Sequence, residues 1–319
     1  MTKLISSLAV LATLSGIALA SAPAQAQSSR TFVSAASGND ANNCNHPTPC
    51  RTFQGAHDKT NAEGEITVLD PGGYGAFTIT KSISIVNDGV GEASILVSGG
   101  AIGIKIEADA AAAVNLRGIT VQGIGFGGGL GLRFTSGHSL TVTNCVFRNH
   151  SAFGIELLSN IAGTINLSIS DTLVADNGGP GIRLNPLNGD ATVRAVIDRV
   201  HMVRNGDAGL LVGASTGTGT INVTVTDSVS SHNGNGFFVS SSAGRAPASL
   251  TVIRSIAANN AGTGLIATDA PAAILRIGQS TITGNALAFS ANGPAVQSFG
   301  DNYIAGNTTN NLPPTIPRK

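Results

Sequence analysis

The chain has 319 residues, with Lys plus Arg and Asp plus Glu at 18 each, so its formal net charge is zero. Charged residues are only 11% of it, which argues against the basic footprint of a nucleic-acid binder or an anionic-membrane binder. Trp is absent and the only tyrosines are Tyr74 and Tyr303, so a conventional aromatic platform for stacking neutral sugars is not expected.

Lys3 precedes an apolar run from Leu4 to about Ala20, and Ala24-Gln25-Ala26 supplies small residues for cleavage before Gln27. The pattern predicts a signal peptide over 1–26, and hence a secreted or periplasmic protein. No other apolar stretch approaches the ~18 residues that span a bilayer, so no membrane anchor is expected once the leader is removed.

Residues 27–76 read as an entry and cap segment. Cys44 and Cys50 flank the loop CNHPTPC, and in an oxidising compartment they are expected to form a local disulfide. Thr52 can cap a short helix running to about Thr60, which would cover an otherwise open first sheet edge. Cys145, in TNCVF, reads as a small buried apolar residue. No Cys/His spacing suggests a zinc site, and no cofactor is expected.

From 77 to 295 the chain repeats. A glycine followed by an apolar residue recurs at Gly103, Gly131, Gly154, Gly181, Gly209, Gly236 and Gly264, with gaps of 28, 23, 27, 28, 27 and 28 residues. The units read GIKI, GLRF, GIEL, GIRL, GLLV, GFFV and GLIA, with apolar second and fourth positions and a free third. That is a period-two strand with one face in a core. A few residues upstream stands a column of His150, Asn177, Asn205, Asn233 and Asn260, continuing through Asn285 and Asn307. Stacked amides of this kind can form a hydrogen-bonded ladder. Before each comes another β-prone segment, such as LTVTNCVF or VTVTDSVS, giving two or three strands per turn. Such a repeat predicts an all-β parallel coil, with rungs ~4.8 Å apart.

The combination of Asn, two to four residues, then Gly-Ile/Leu, an exterior residue and an apolar one resembles the right-handed parallel β-helix repeat of the pectin-lyase-like superfamily. The resemblance runs from about Phe77 to Asn311. The segment from Arg30 to Gly75 is similar to the entry of exported β-helix proteins, where a strand, a short helix and a PGxY-like turn lead into the first rungs. The fold implied is a single-domain right-handed parallel β-helix with a short N-terminal capping helix. Residues 296–319 lose the repeat, end in Pro313, Pro314 and Pro317, and read as a C-terminal cover and loose tail.

In enzymes of this superfamily the substrate commonly lies across the glycine-led strand face, so its exterior column is the place to look. It reads Lys105, Arg133, Glu156, Arg183, Leu211, Phe238 and Ile266. The charged half can grip a uronate carboxylate, because a guanidinium matches it bidentately. Neutralisation between neighbouring rungs is the simpler account of the same charges. The apolar half, Leu211, Phe238 and Ile266, is either covered by the C-terminal tail or a partner surface.

A second polar column holds Asn149, Asp176, Arg204, His232 and Asn259, of which Asp176, Arg204 and His232 are the nearest approach to an acid-base set. The alternative is an ordinary solvated surface. Stacked hydroxyls at Thr141 and Thr143, Ser168 and Ser170, and Thr224 and Thr226 suggest a flat binding face, interrupted at Ala195 and Ile197; pairing between rungs explains them as well.

The family resemblance implies hydrolase or lyase motifs that are mostly missing. The steps before Gly-Ile read SAFG, GGPG, GDAG, NGNG and AGTG; only Gly137-His138 echoes a Gly-His-Gly, and Asp207 has no acidic companion on the next rung. Inverting hydrolysis needs two carboxylates, and calcium-dependent lyases need a carboxylate cluster beside a base. The expected function is therefore an exported, non-catalytic polysaccharide-binding or structural module whose partner is an acidic polysaccharide. A divergent lyase or glycoside hydrolase is the alternative.

Overall fold

The computed structural model describes residues 28–317 apart from 124, 126, 160, 188–190, 215–218, 243, 270 and 293–294. The expected leader over 1–26 lies outside the described residues.

The strands stack into three parallel sheets that wrap one core. Sheet I has 11 strands, from Ser28–Val33 to Val296–Ser298; sheet II has 10, from Gly72–Gly73 to Tyr303–Ile304; sheet III has 9, from Phe77–Ile79 to Leu287–Ala291. One turn runs through all three in order, as in Ser139–Thr143, Val146–Arg148 and Ile155–Leu157, before the chain re-enters sheet I at Gly163–Ser170. The glycine-led units are the strands of sheet III. Their second positions pair from rung to rung as Leu132, Ile155, Ile182, Leu210, Phe237 and Leu265, all at most 1% exposed. Period-two patterning thus lines the core as the sequence implies.

The recurrent glycine answers to close approach. A Cβ on Gly181 would lie 2.8 Å from Nδ2 of Asn205 and 2.9 Å from the carbonyl oxygen of Gly209; one on Gly154 would lie 2.9 Å from Nδ2 of Asn177. Gly154, Gly181, Gly209 and Gly264 thus leave room for the ladder amide of the next rung, while Gly236 makes way for the backbone of Gly264. That ladder is continuous: Asn177 Nδ2 donates to Asn205 Oδ1 at 2.9 Å, Asn205 to Asn233 at 3.0 Å, Asn233 to Asn260 at 3.1 Å and Asn260 to Asn285 at 2.8 Å. It closes through Asn307 on Asn310 Oδ1. At its other end His150 substitutes for the amide, its backbone N–H donating to Asn177 Oδ1 at 3.1 Å and its Nε2 lying 3.2 Å from the Val121 carbonyl.

Both tight corners are built on left-handed residues. Between sheets I and II these are Asn144, Asp171, Arg199, Asp227, Arg254 and Gln279, with φ of 47 to 53°. Between sheets II and III they are Asn149, Asp176, Arg204, His232 and Asn259, with φ of 53 to 61°. Such geometry costs about 1 kcal/mol or more per non-glycine residue and is held by its surroundings. Behind the first corner runs a second ladder, in which Val200, Ser228 and Ser255 donate backbone N–H groups to the hydroxyls of Ser228, Ser255 and Ser280. Cys145 belongs to the same column. Its thiol is free and buried, accepts from the Ile119 N–H, and is pushed up to about 11 by burial.

At the entry, Thr52 caps a helix over Phe53–Lys59, accepting from the Gly55 N–H at 3.0 Å. Phe53 packs on Tyr74 and Phe77, with ring centroids 4.9 and 5.3 Å away, which seats the helix against the first rungs. Cys44 and Cys50 are joined as a disulfide.

Two features differ from the sequence reading. On sheet I the residues in register with Ser168 and Ser170 are Val196 and Asp198, whereas Ala195 and Ile197 point into the core at 4% and 0% exposure. A one-residue shift exchanges the faces of a strand, so the hydroxyl columns are interrupted by an exposed valine and a carboxylate instead. The C-terminal residues also keep coiling: Val296–Ser298 pairs with sheet I, Tyr303–Ile304 with sheet II, and Thr309 and Thr315 bridge to Leu287 and Ser298. These pairings place the tail at the end of the coil, not along the Leu211, Phe238 and Ile266 strip.

Candidate functional site

On the exterior of sheet III the pairing register aligns Lys105, Arg133, Glu156, Arg183, Leu211, Phe238 and Ile266 in one column. The structure brings three of the four charged candidates into contact. Glu156, whose side chain is 1% exposed, receives Arg133 Nε on Oε2 at 2.7 Å and Arg183 Nη1 on Oε1 at 3.3 Å. The Arg133 and Arg183 side chains remain 28% and 30% exposed. Arg183 also lies over the ring of Phe153, 5.1 Å from its centroid, a cation–π contact that the sequence reading missed. Lys105 turns to Glu107 on its own strand, with Nζ 2.7 Å from Oε1. The local charge is thus +1: two arginines against Glu156, with the Lys105–Glu107 pair neutral. Leu211, Phe238 and Ile266 are half-buried and continue the column as an apolar strip.

The second candidate set lies at the corner between sheets II and III. Arg204 chelates Asp176 with both carboxylate oxygens, at 2.6 and 2.9 Å, and these hydrogen bonds hold the guanidinium more firmly protonated. His232 is exposed beside them, in a shallow groove of about 670 Å³ that Asp176, Arg204 and the ladder residues also line. A carboxylate occupied bidentately by arginine is poorly placed as a general base. The column owes its position to the left-handed corner, and its charges to pairing between rungs. The same device recurs at the other corner, where Arg199 chelates Asp171 and Arg254 chelates Asp227, pairs that the sequence reading did not single out.

Buried beneath the groove, His150 is 1% exposed and burial lowers its pKa to about 4. Among the described residues no three His, Cys, Asp or Glu side chains gather closely enough to hold a metal ion. Among them, too, no helix is long and apolar enough to cross a membrane.

A single parallel coil with a glycine-led face and a buried amide ladder defines a β-helix protein. The chain belongs to the right-handed β-helix family, whose model, described as a right handed beta helix region, matches residues 102–309. Among solved structures, pectate lyase Pel9A is similar over 86% of this chain and 80% of its own, at 17% identity and a TM-score of 0.62. A rhamnogalacturonan lyase is similar over 84% and 86%, at 12% identity and a TM-score of 0.50. At these identities the likeness is one of fold. No curated protein sequence matches the chain.

Proposed function

We propose that the chain is an exported, non-catalytic module that binds acidic polysaccharide across the exterior of sheet III. The observation that carries this reading is Glu156, buried between Arg133 and Arg183. It holds Arg133 and Arg183 about one rung either side of itself, both part-exposed, so the cluster keeps a net charge of +1 with which to attract a ligand carboxylate. The apolar strip beyond, Leu211, Phe238 and Ile266, offers aliphatic surface to the C–H face of a sugar ring. Against turnover stands the chemistry of the column. Of the acids on this face, Glu156 is engaged by two arginines and Glu107 by Lys105, so the pair of free carboxylates that inverting hydrolysis requires is not supplied there. Export is supported by the leader-like pattern of residues 1–26 and by the Cys44–Cys50 disulfide.

The test is affinity electrophoresis in polygalacturonate, run alongside assays for unsaturated and reducing ends. The wild-type chain should be retarded and form no product, and Arg133→Ala/Arg183→Ala should migrate freely. Product formation that follows the purified protein would replace this reading with that of a divergent lyase or hydrolase. Retardation unchanged in the double variant would remove the binding site.

A further inference from the structure

We propose that the chain carries a second ligand site, for a carboxylate-bearing sugar residue, in the groove between loop 87–92 and the exterior of sheet II. This is a different face from the Arg133–Glu156–Arg183 cluster and does not depend on it.

The corners from sheet I to sheet II use one or two residues from Gly118 through Ser280, but the connection between Ile83–Val86 and Ala93–Val97 spans residues 87–92. Elaborated loops on a regular scaffold are where binding residues concentrate. This one is firmly built. Asn87, 6% exposed, donates from Nδ2 to the carbonyls of Gly91 at 2.8 Å and Gly118 at 2.9 Å, and accepts on Oδ1 from the N–H groups of Gly89 and Val90 at 3.3 Å. The loop also packs on the entry segment: a Cβ on Gly91 would lie 2.9 Å from that of Pro71. It walls a groove of about 470 Å³, within the ~300–1,000 Å³ that small-molecule sites occupy.

The lining has the chemistry of an acidic sugar site. Val146 and Leu173, the latter 38% exposed, give an apolar floor for the C–H face of a pyranose; Thr120, Asn144 and Glu92 offer partners for its hydroxyls. Arg148 supplies the charge. Its Nη2 donates to the neutral Gln122 Oε1 at 2.9 Å, its buried Nε has no acceptor among the described residues, and no ion pair with a carboxylate forms there. Arg199, Arg204 and Arg254 on the same coil are each chelated by an aspartate of the preceding rung. In register with Arg148 on that preceding rung stands Gln122 instead. A ligand carboxylate would make the pairing that the protein makes elsewhere itself. One guanidinium sharing its groove with Glu92 suits a singly charged carboxylate better than a phosphate dianion.

Isothermal titration with D-galacturonate, trigalacturonate and D-galactose tests the site. Galacturonate should bind at least about tenfold more tightly than galactose, a difference of about 1.4 kcal/mol. In the Arg133→Ala/Arg183→Ala background, which silences the polymer-binding face, Arg148→Gln should remove that preference, and Leu173→Asp, on the exposed floor, should weaken binding independently, with both variants folded by circular dichroism. The Arg133→Ala/Arg183→Ala variant should keep wild-type affinity for galacturonate, which separates this site from the polymer-binding face. Equal affinities for galacturonate and trigalacturonate support a pocket for a free sugar or a chain end; tighter trimer binding that Arg148→Gln abolishes supports one for an in-chain residue. In that same background, galacturonate binding no tighter than galactose, or binding that survives both Arg148→Gln and Leu173→Asp, overturns the proposal.

Discussion

Replacing Asn205 with alanine tests the amide ladder at its middle. Asn205 Oδ1 accepts from the Asn177 N–H at 3.3 Å and from Asn177 Nδ2 at 2.9 Å; its own Nδ2 donates to the Val174 carbonyl at 3.1 Å and to Asn233 Oδ1 at 3.0 Å. Four hydrogen bonds are lost together, each worth about 0.5–1.5 kcal/mol net, and the Asn177 donors remain buried without their partner, which raises the cost. A loss of about 3–5 kcal/mol follows. Because coils of repeats can open locally, the readout is twofold: the urea midpoint, and hydrogen exchange at the Asn177 amide. Exchange there should accelerate by at least about a hundredfold, the equivalent of about 3 kcal/mol. Asn222 faces solvent on sheet I, so Asn222→Ala should stay within about 0.5 kcal/mol of wild type. An Asn205→Ala cost below about 1 kcal/mol, or one equal to that of Asn222→Ala, would refute the view that the ladder holds the rungs in register.

His150, held neutral by burial, has a pKa lowered from 6.5 to about 4, so the unfolded chain takes up a proton below about pH 6.5 that the folded chain refuses. Stability should therefore fall with pH between those values, by about 2 kcal/mol at pH 5 relative to pH 7.5, and His150→Asn should flatten the slope in parallel urea titrations. A variant with the wild-type slope would rule that out. Glu156→Gln leaves Arg133 and Arg183 facing each other across a neutral amide. It should cost about 1–3 kcal/mol of stability while strengthening polygalacturonate retention several-fold, and weaker retention would show that Glu156 does not compete with the ligand.

Much of the coil is legible in the sequence because it rests on short-range patterns. The alternation in GIRL or GLLV fixes which residues of sheet III point inward, Thr52 marks the helix start, and the spacing of Asn177, Asn205, Asn233 and Asn260 marks the ladder. What escapes is set by geometry between segments. Val196 and Asp198, not Ala195 and Ile197, face outward, as the alternation of ATVRAVID favours with Ala191, Val193, Ala195 and Ile197 all apolar; the hydroxyl column is misplaced by one residue only when the 27-residue spacing from Gly154 to Gly181 is carried to this strand, whose partners Ser168 and Val196 are 28 apart. The left-handed corners are only half legible: Asp176 and His232 are of types that tolerate positive φ, whereas Arg204 in the same column is not and is held there by its bonds to Asp176 and the packing behind it. Residues 296–317 continue the coil without its glycine signature, through backbone pairing and the side chains of Asp301, Asn302, Asn307 and Asn311, which bond to the preceding rung. For the candidate site, the sequence supplies the column Lys105, Arg133, Glu156 and Arg183, but not that Lys105 leaves it for Glu107. Nor does it signal the groove at Arg148, which depends on a loop distant in sequence from the residues it covers.

The claim at the centre of this account is that the exterior of sheet III holds a polyuronate without transforming it. The direct measurement is the equilibrium affinity of the purified chain for a long oligogalacturonate, with the recovered ligand then sized by mass spectrometry. The account predicts saturable binding that Arg133→Ala/Arg183→Ala weakens at least about tenfold, with the ligand recovered intact. Shortened or unsaturated products, or affinity indifferent to both arginines, would contradict it.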